Sequence, residues 1–156
     1  MRTPLLPLAL ALALGAGLLD AALTPAHAAL GDTVASVHAD QAKLRGALRV
    51  KAEAGYSVQE ITTPAGTIVR EYISSAGVVF AVSWQGPVVP DLRQLLGSYF
   101  AQARSAAAVA PPHGHSRLEV RQPDLVVSTG GHLRAFFGIA YVPSLLPRNF
   151  PLSTVH

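Results

Sequence analysis

Between Tyr56 and Gln85 apolar side chains recur at every second position in three short runs, the period of a half-buried β-strand. The runs Tyr56–Thr62, Thr67–Ser74 and Val78–Gln85 are divided by Thr63-Pro64-Ala65-Gly66 and Ser74-Ser75-Ala76-Gly77. Both dividers end in glycine, as a type I turn closed by a left-handed residue prefers, so the pattern predicts a three-stranded antiparallel meander. The alternation slips at Gln59-Glu60, a candidate bulge. In the third run Val78, Phe80, Val82 and Trp84 point one way and Val79, Ala81 and Ser83 the other. Both faces are largely apolar, which places this strand centrally beneath a helix layer.

The flanking segments follow a helical period. Over 36–48, Val37, Leu44 and Leu48 share a face, Ser36 is placed to cap, Asp40 sits near the positive end of the helix dipole, and Gly46 weakens the run. After Gly86-Pro87, Asp91 and Gln94 have the spacing of a capping box. Leu92, Leu95, Leu96, Tyr99, Phe100 and Ala103 then form a stripe that must pack on the meander. Ser105 to His115 reads as a loop or frayed helix end, because Pro111-Pro112 cannot continue a helix. Leu118–Arg121, Leu125–Thr129 and Leu133–Val142 read as further strands, the last two joined through Gly130-Gly131-His132. Pro143, Pro147 and Pro151 space an extended tail that drapes over the domain. This order predicts an α+β fold: a single antiparallel sheet of about five to six strands with one or two helices packed on one face, cystatin-like or a similar wrapped sheet.

The beginning of the chain has a different character. Arg2, the apolar run Leu5 to Leu19, and Ala26-His27-Ala28 form the three-part pattern of an export signal, with cleavage expected before Ala29. The apolar run is too short for a confident membrane span, and nothing after it approaches one. The expected organisation is therefore a signal peptide at 1–28, one α+β domain at 29–142, and a Pro-rich tail at 143–156. The mature protein is expected to be periplasmic or secreted, without a transmembrane segment. Cysteine is absent from all 156 residues, which excludes disulfides, thiolate metal sites, a cysteine nucleophile and a lipidated cysteine. The net charge of +3 comes from bases interleaved with acids, not from the clustered stripe of a nucleic-acid-binding surface.

Candidate chemistry is sparse. Arg70 and Glu71 are adjacent in a strand, so one of them must face the helix layer, where it forms either a structural ion pair or part of a polar site with Tyr72, Asp91, Asp124 or Arg134. Asp91 and Asp124 occupy positions that cap and turn chemistry explain without catalysis. Trp84 before Gly86-Pro87 is either an aromatic platform for a ligand or a core anchor. His113 and His115, with His132 if the fold brings it near, are the only residues with metal-ligand spacing, fewer than an organised zinc site needs. No nucleophile elbow, phosphate-binding loop, dinucleotide fingerprint or His-Glu-x-x-His helix is present, so no cofactor is expected.

The blocks Ala29-Leu30-Gly31, Val69-Arg70-Glu71-Tyr72, Val79 to Pro87, Pro90 to Gly97 and Asp124 to Phe136 resemble a family of exported Gram-negative bacterial proteins, domain of unknown function 2844. The resemblance covers nearly the whole mature chain, and it implies export and no assigned activity, ligand or catalytic residue. Two functions follow as expectations. The first is a non-catalytic binding or accessory module of the cell envelope with a protein or small-ligand partner, for which pairing at a sheet edge is the natural mode. The alternative is a hydrolase-type enzyme built on Glu71, Asp91, Asp124, His132 and Arg134, with metal binding through the histidines behind it.

Overall fold

The structure is a computed structural model that describes residues 29–34, 37–109 and 117–155. The leader, Ser36, and the pair His113 and His115 lie outside the described residues, as does the side chain of Asp40.

Seven strands form one open antiparallel sheet: β1 (Ala47–Glu53), β2 (Tyr56–Thr62), β3 (Ile68–Ser74), β4 (Val79–Gly86), β5 (Leu118–Arg121), β6 (Val126–His132) and β7 (Ala135–Tyr141). Their order is β1-β2-β3-β4-β7-β6-β5, so the margins are β1 and β5. The α+β class and single antiparallel sheet are as expected, but the strand count exceeds the five to six read from the sequence. The additional strand is β1. The helix expected over 36–48 stops early, as α1 (Val37–Leu44). Arg45 adopts a left-handed φ of 50°, and Gly46 packs so closely that a Cβ there would meet Ile61 at 2.3 Å. The chain then turns back and pairs along β2 from Ala47↔Thr62 to Glu53↔Tyr56.

Both glycine-ended turns form. Gly66 N–H donates to the Thr63 carbonyl at 2.9 Å with φ 83°, and Gly77 N–H donates to the Ser74 carbonyl at 2.8 Å with φ 76°. No irregularity interrupts β2 at Gln59-Glu60. The bulge lies between β3 and β4, where Tyr72 pairs with Ala81 but Ile73 pairs with Val79. The extra residue, Phe80, is consequently turned away from Val82 and Trp84, because a one-residue slip exchanges sheet faces. The expected one-sided row of Val78, Phe80, Val82 and Trp84 is thus broken.

The two faces are covered by different means. On the first, Val69, Ile73, Val79, Val82, Trp84, Val127 and Ala140 pack against Val37 of α1 and against the segment 92–109. That segment is α2 (Leu92–Leu96), a 3-10 turn at Gly97–Tyr99, and α3 (Phe100–Val109), so helix continues past Ser105. Asp91 Oδ1 accepts from Arg93 N–H at 2.9 Å and from Gln94 N–H at 3.3 Å, a cap worth about 1 kcal/mol. Leu95 and Leu96 are buried as the stripe predicts, while Tyr99 and Phe100 are partly covered. The break at Gly97 (φ 50°) has a cause outside the helix: a Cβ there would lie 2.1 Å from that of Ala29. Ala29 and Leu30 are buried, Leu30 N–H donates to the Leu95 carbonyl, and Gly31 N–H donates to the Val79 carbonyl.

The opposite face is covered only in part. The C-terminal segment crosses its middle as two 3-10 turns, Pro143–Leu145 and Leu152–Thr154. Phe150 stacks edge-on against Phe80 at 4.8 Å and Tyr56 at 5.0 Å, Val155 is buried, and Tyr72 Oη donates to the Thr154 carbonyl at 3.2 Å. This strap lies on the sheet face and on neither margin.

Candidate functional site

The sequence candidates are dispersed by their strand positions. Glu71 is buried on the helix face, directly across from buried Gln59 on β2, whose Oε1 accepts no hydrogen bond. Arg70 consequently faces the strap side, where its Nε donates to Glu60 Oε2 at 2.9 Å. Both side chains of this ion pair are partly exposed, so it contributes little to stability. Tyr72 shares that face and is committed to the strap through Thr154. Asp91 is occupied by its capping bonds. Asp124 lies in the β5–β6 turn, at the opposite end of β6 from His132, and accepts from Gln102 Nε2 at 2.6 Å. His132 and Arg134 are exposed at the β6–β7 hairpin. Asp124 and His132 are therefore held apart by the length of β6, and Glu71 lies inward on β3, so the structure does not bring these three together. Trp84 is only 2% exposed and lies flat against Gly138, where a Cβ would come within 2.2 Å of its ring, so it anchors the core and offers no open platform. Among the described residues no three His, Asp or Glu side chains converge as a metal site.

The turn of the last hairpin also differs from the expected Gly130-Gly131-His132. Those residues are inside β6, and His132 pairs with Ala135, so the two-residue turn is Leu133-Arg134. The glycines serve the pairing instead. Gly130 lies under the Phe137 ring, and a Cβ on Gly131 would come within 2.3 Å of the Ala135 carbonyl oxygen.

Among the described residues three surfaces stand out as open. The first is the outer margin of β1, seven residues long, with no described strand beyond it and Val50 64% exposed. Its strap-side positions carry Arg49, Lys51 and Glu53, and Lys51 is held above its ordinary pKa by a hydrogen bond to Glu53 and by that carboxylate's charge. The second is a trough of about 690 Å³ running beside this margin over Tyr56, Glu60, Arg70 and Tyr72. The third is the β6–β7 hairpin end, flanked by slots of about 660 and 460 Å³. The other sheet margin is less available. Strand β5 has four residues and packs against α3, with Gln102 of α3 also bonded to Gln122 Oε1.

These features define a small α+β protein built on one open antiparallel sheet, with helices on one face and its own C-terminal strap across part of the other. The chain belongs to the family described as "Protein of unknown function (DUF2844)", which matches residues 26–155. No curated protein and no solved structure matches it. No helix among the described residues is long and apolar enough to cross a membrane.

Proposed function

We propose that this protein is a non-catalytic binding module of the bacterial cell envelope, exported by its leader, which takes up an extended partner segment by adding it as a strand beside β1. The observation that carries this reading is the seven-residue margin of β1, beyond which no described strand pairs. An unpaired strand edge presents alternating N–H and C=O groups, and a second strand supplies their partners without new folding of the receptor. The adjacent trough gives side chains of the added strand a polar floor, and Arg49, Lys51 and Arg70 outnumber Glu53 and Glu60 there, favouring an acidic segment. The strap supports the same reading, because it occupies the sheet face and leaves the margin clear. Export is supported by the charged, apolar and small-residue pattern before Ala29, and by the burial of Ala29 and Leu30, which makes the chain from Ala29 onward part of the fold.

A photoreactive amino acid placed singly along β1 in the producing cell tests the mode of binding. Positions 48, 50 and 52 are expected to give one discrete adduct, absent when the same group replaces highly exposed Val109. Equal labelling at Val109, or adducts from every exposed position except those in β1, contradicts strand addition.

A further inference from the structure

The end of the sheet that carries the β6–β7 hairpin departs from ordinary surface chemistry. Leu133 is 83% exposed, and Phe137, Val88 and Val89 are also exposed, so four of the eight large apolar side chains exposed among the described residues gather at this end. Thr67 Oγ1 donates to the Val88 carbonyl at 2.8 Å and accepts from Val88 N–H at 3.3 Å, so both backbone polar groups of Val88 are satisfied by the 63–67 turn while the Val88 and Val89 side chains stay exposed. A Cβ on Gly86 would strike Thr67 at 2.5 Å, which keeps the loop against that turn. Across the slot that Val89 lines, the hairpin closes on Leu133-Arg134, with Arg134 at φ 66°. A two-residue turn with a left-handed second position is best served by glycine or asparagine. Here a leucine and a strained arginine occupy the tip instead, an outlier that points toward a role outside folding.

Charge selects the partner. Arg117 lines one slot and Arg134 the other, His132 lines both, and among the described residues no carboxylate lines either. Asp91, beside the 87–90 loop, is committed to its cap, and Glu119, two residues from Arg117, is paired with Arg121. We infer that the β6–β7 tip and the 87–90 loop dock this protein on the surface of an anionic phospholipid bilayer, with Leu133 and its apolar neighbours entering the headgroup–acyl boundary and the arginines meeting lipid phosphates. A projecting two-residue turn needs no complementary cleft, which favours a lipid surface over a folded acidic protein. Apolar side chains with cations one position away suit that boundary, because a long arginine reaches outward while the leucine is buried. This inference goes beyond strand addition at β1 and stands independently of it.

The absence of cysteine makes the test direct in the complete chain. A single Ala135→Cys variant, labelled with an environment-sensitive fluorophore, reports at the tip whether or not the leader binds lipid. On vesicles containing phosphatidylglycerol the emission is expected to rise and shift to the blue. Phosphatidylcholine vesicles, or high salt, are expected to remove most of that response. The pair Leu133→Asn and Arg134→Gly removes the leucine and puts glycine at the left-handed position 134, so thermal stability should hold or rise while tip binding weakens about tenfold or more, the scale of one lost inserted leucine. An unchanged response in that stable pair overturns the assignment. So does a silent probe on phosphatidylglycerol, an equal response on neutral vesicles, or capture of an acidic protein by the tip with no vesicle response.

Discussion

Gly138→Ala is expected to destabilise the protein by about 3 kcal/mol or more, read from denaturant unfolding, because the added methyl has nowhere to go. It would stand 2.2 Å from Trp84 Cζ2 and 2.5 Å from Cε2. The indole cannot yield easily. It is buried in the principal core on the face that also holds Leu95, Leu96 and Val82, and the opposing strand position is the backbone of β7 itself. The pairing Trp84↔Gly138 thus acts as one unit in which a large side chain occupies the space a small one vacates. Trp84→Leu is damaging alone, at about 3 kcal/mol by analogy with large-to-small core changes. In the Gly138→Ala background it should cost clearly less, because removing the ring relieves the clash. Strictly additive losses would show that Trp84 and Gly138 do not share this space.

The second large effect concerns the strap. Phe80→Ala is expected to cost about 3–5 kcal/mol, a large share of the about 5–15 kcal/mol that holds an ordinary domain together. Phe80 is fully buried, yet its neighbours are Phe150, Tyr56 and Tyr72, not the helices. Phe80 and Phe150 should therefore show a coupling of about 0.5–1.5 kcal/mol in a double-mutant cycle, the range for edge-on aromatic pairs. Phe80 and Trp84 should be close to additive, since the bulge sends them to opposite faces. Coupling of Phe80 with Trp84 and not with Phe150 would place the bulge elsewhere.

What the sequence made legible follows from where burial is one-sided. Asp91 declared its cap, the glycine-ended turns declared themselves at Gly66 and Gly77, and the Leu92-to-Ala103 stripe identified the helical segment that covers the sheet. Strand β1 was hidden because a margin strand has little to bury. Val50 is mostly exposed there and Arg49 and Lys51 are exposed as well, so the alternation that marks a central strand never develops. The bulge at Phe80 was hidden for the opposite reason: both faces of β4 are apolar, and a slip of one residue leaves the hydrophobic pattern unchanged. The hairpin turn was misplaced because Gly130-Gly131 carry turn chemistry and Leu133-Arg134 carry none. Phe150 gave no signal within its Pro-rich segment, since its partners lie 70 and more residues earlier in the chain.

Dispersal of the candidate site has the same origin. Adjacent residues in a strand face opposite ways, so Arg70-Glu71-Tyr72, contiguous in sequence, became a buried carboxylate on one face and two strap-side groups on the other. Residues 124 and 132 were separated by the length of β6, at whose two ends they lie. The surfaces left open are a strand margin and a hairpin tip, which the sequence shows only as Lys51 among small residues and as one leucine after a histidine.

Amide hydrogen exchange on the free chain reaches the strand-addition reading most directly. If β1 bounds the sheet and awaits a partner, its outward amides should exchange at the rate of solvated backbone, in alternation with slower inward ones, while β4 amides remain the most protected. Uniform protection across 47–53, matching that of β4, would mean that something in the free protein already pairs with that margin, and strand addition there would be untenable.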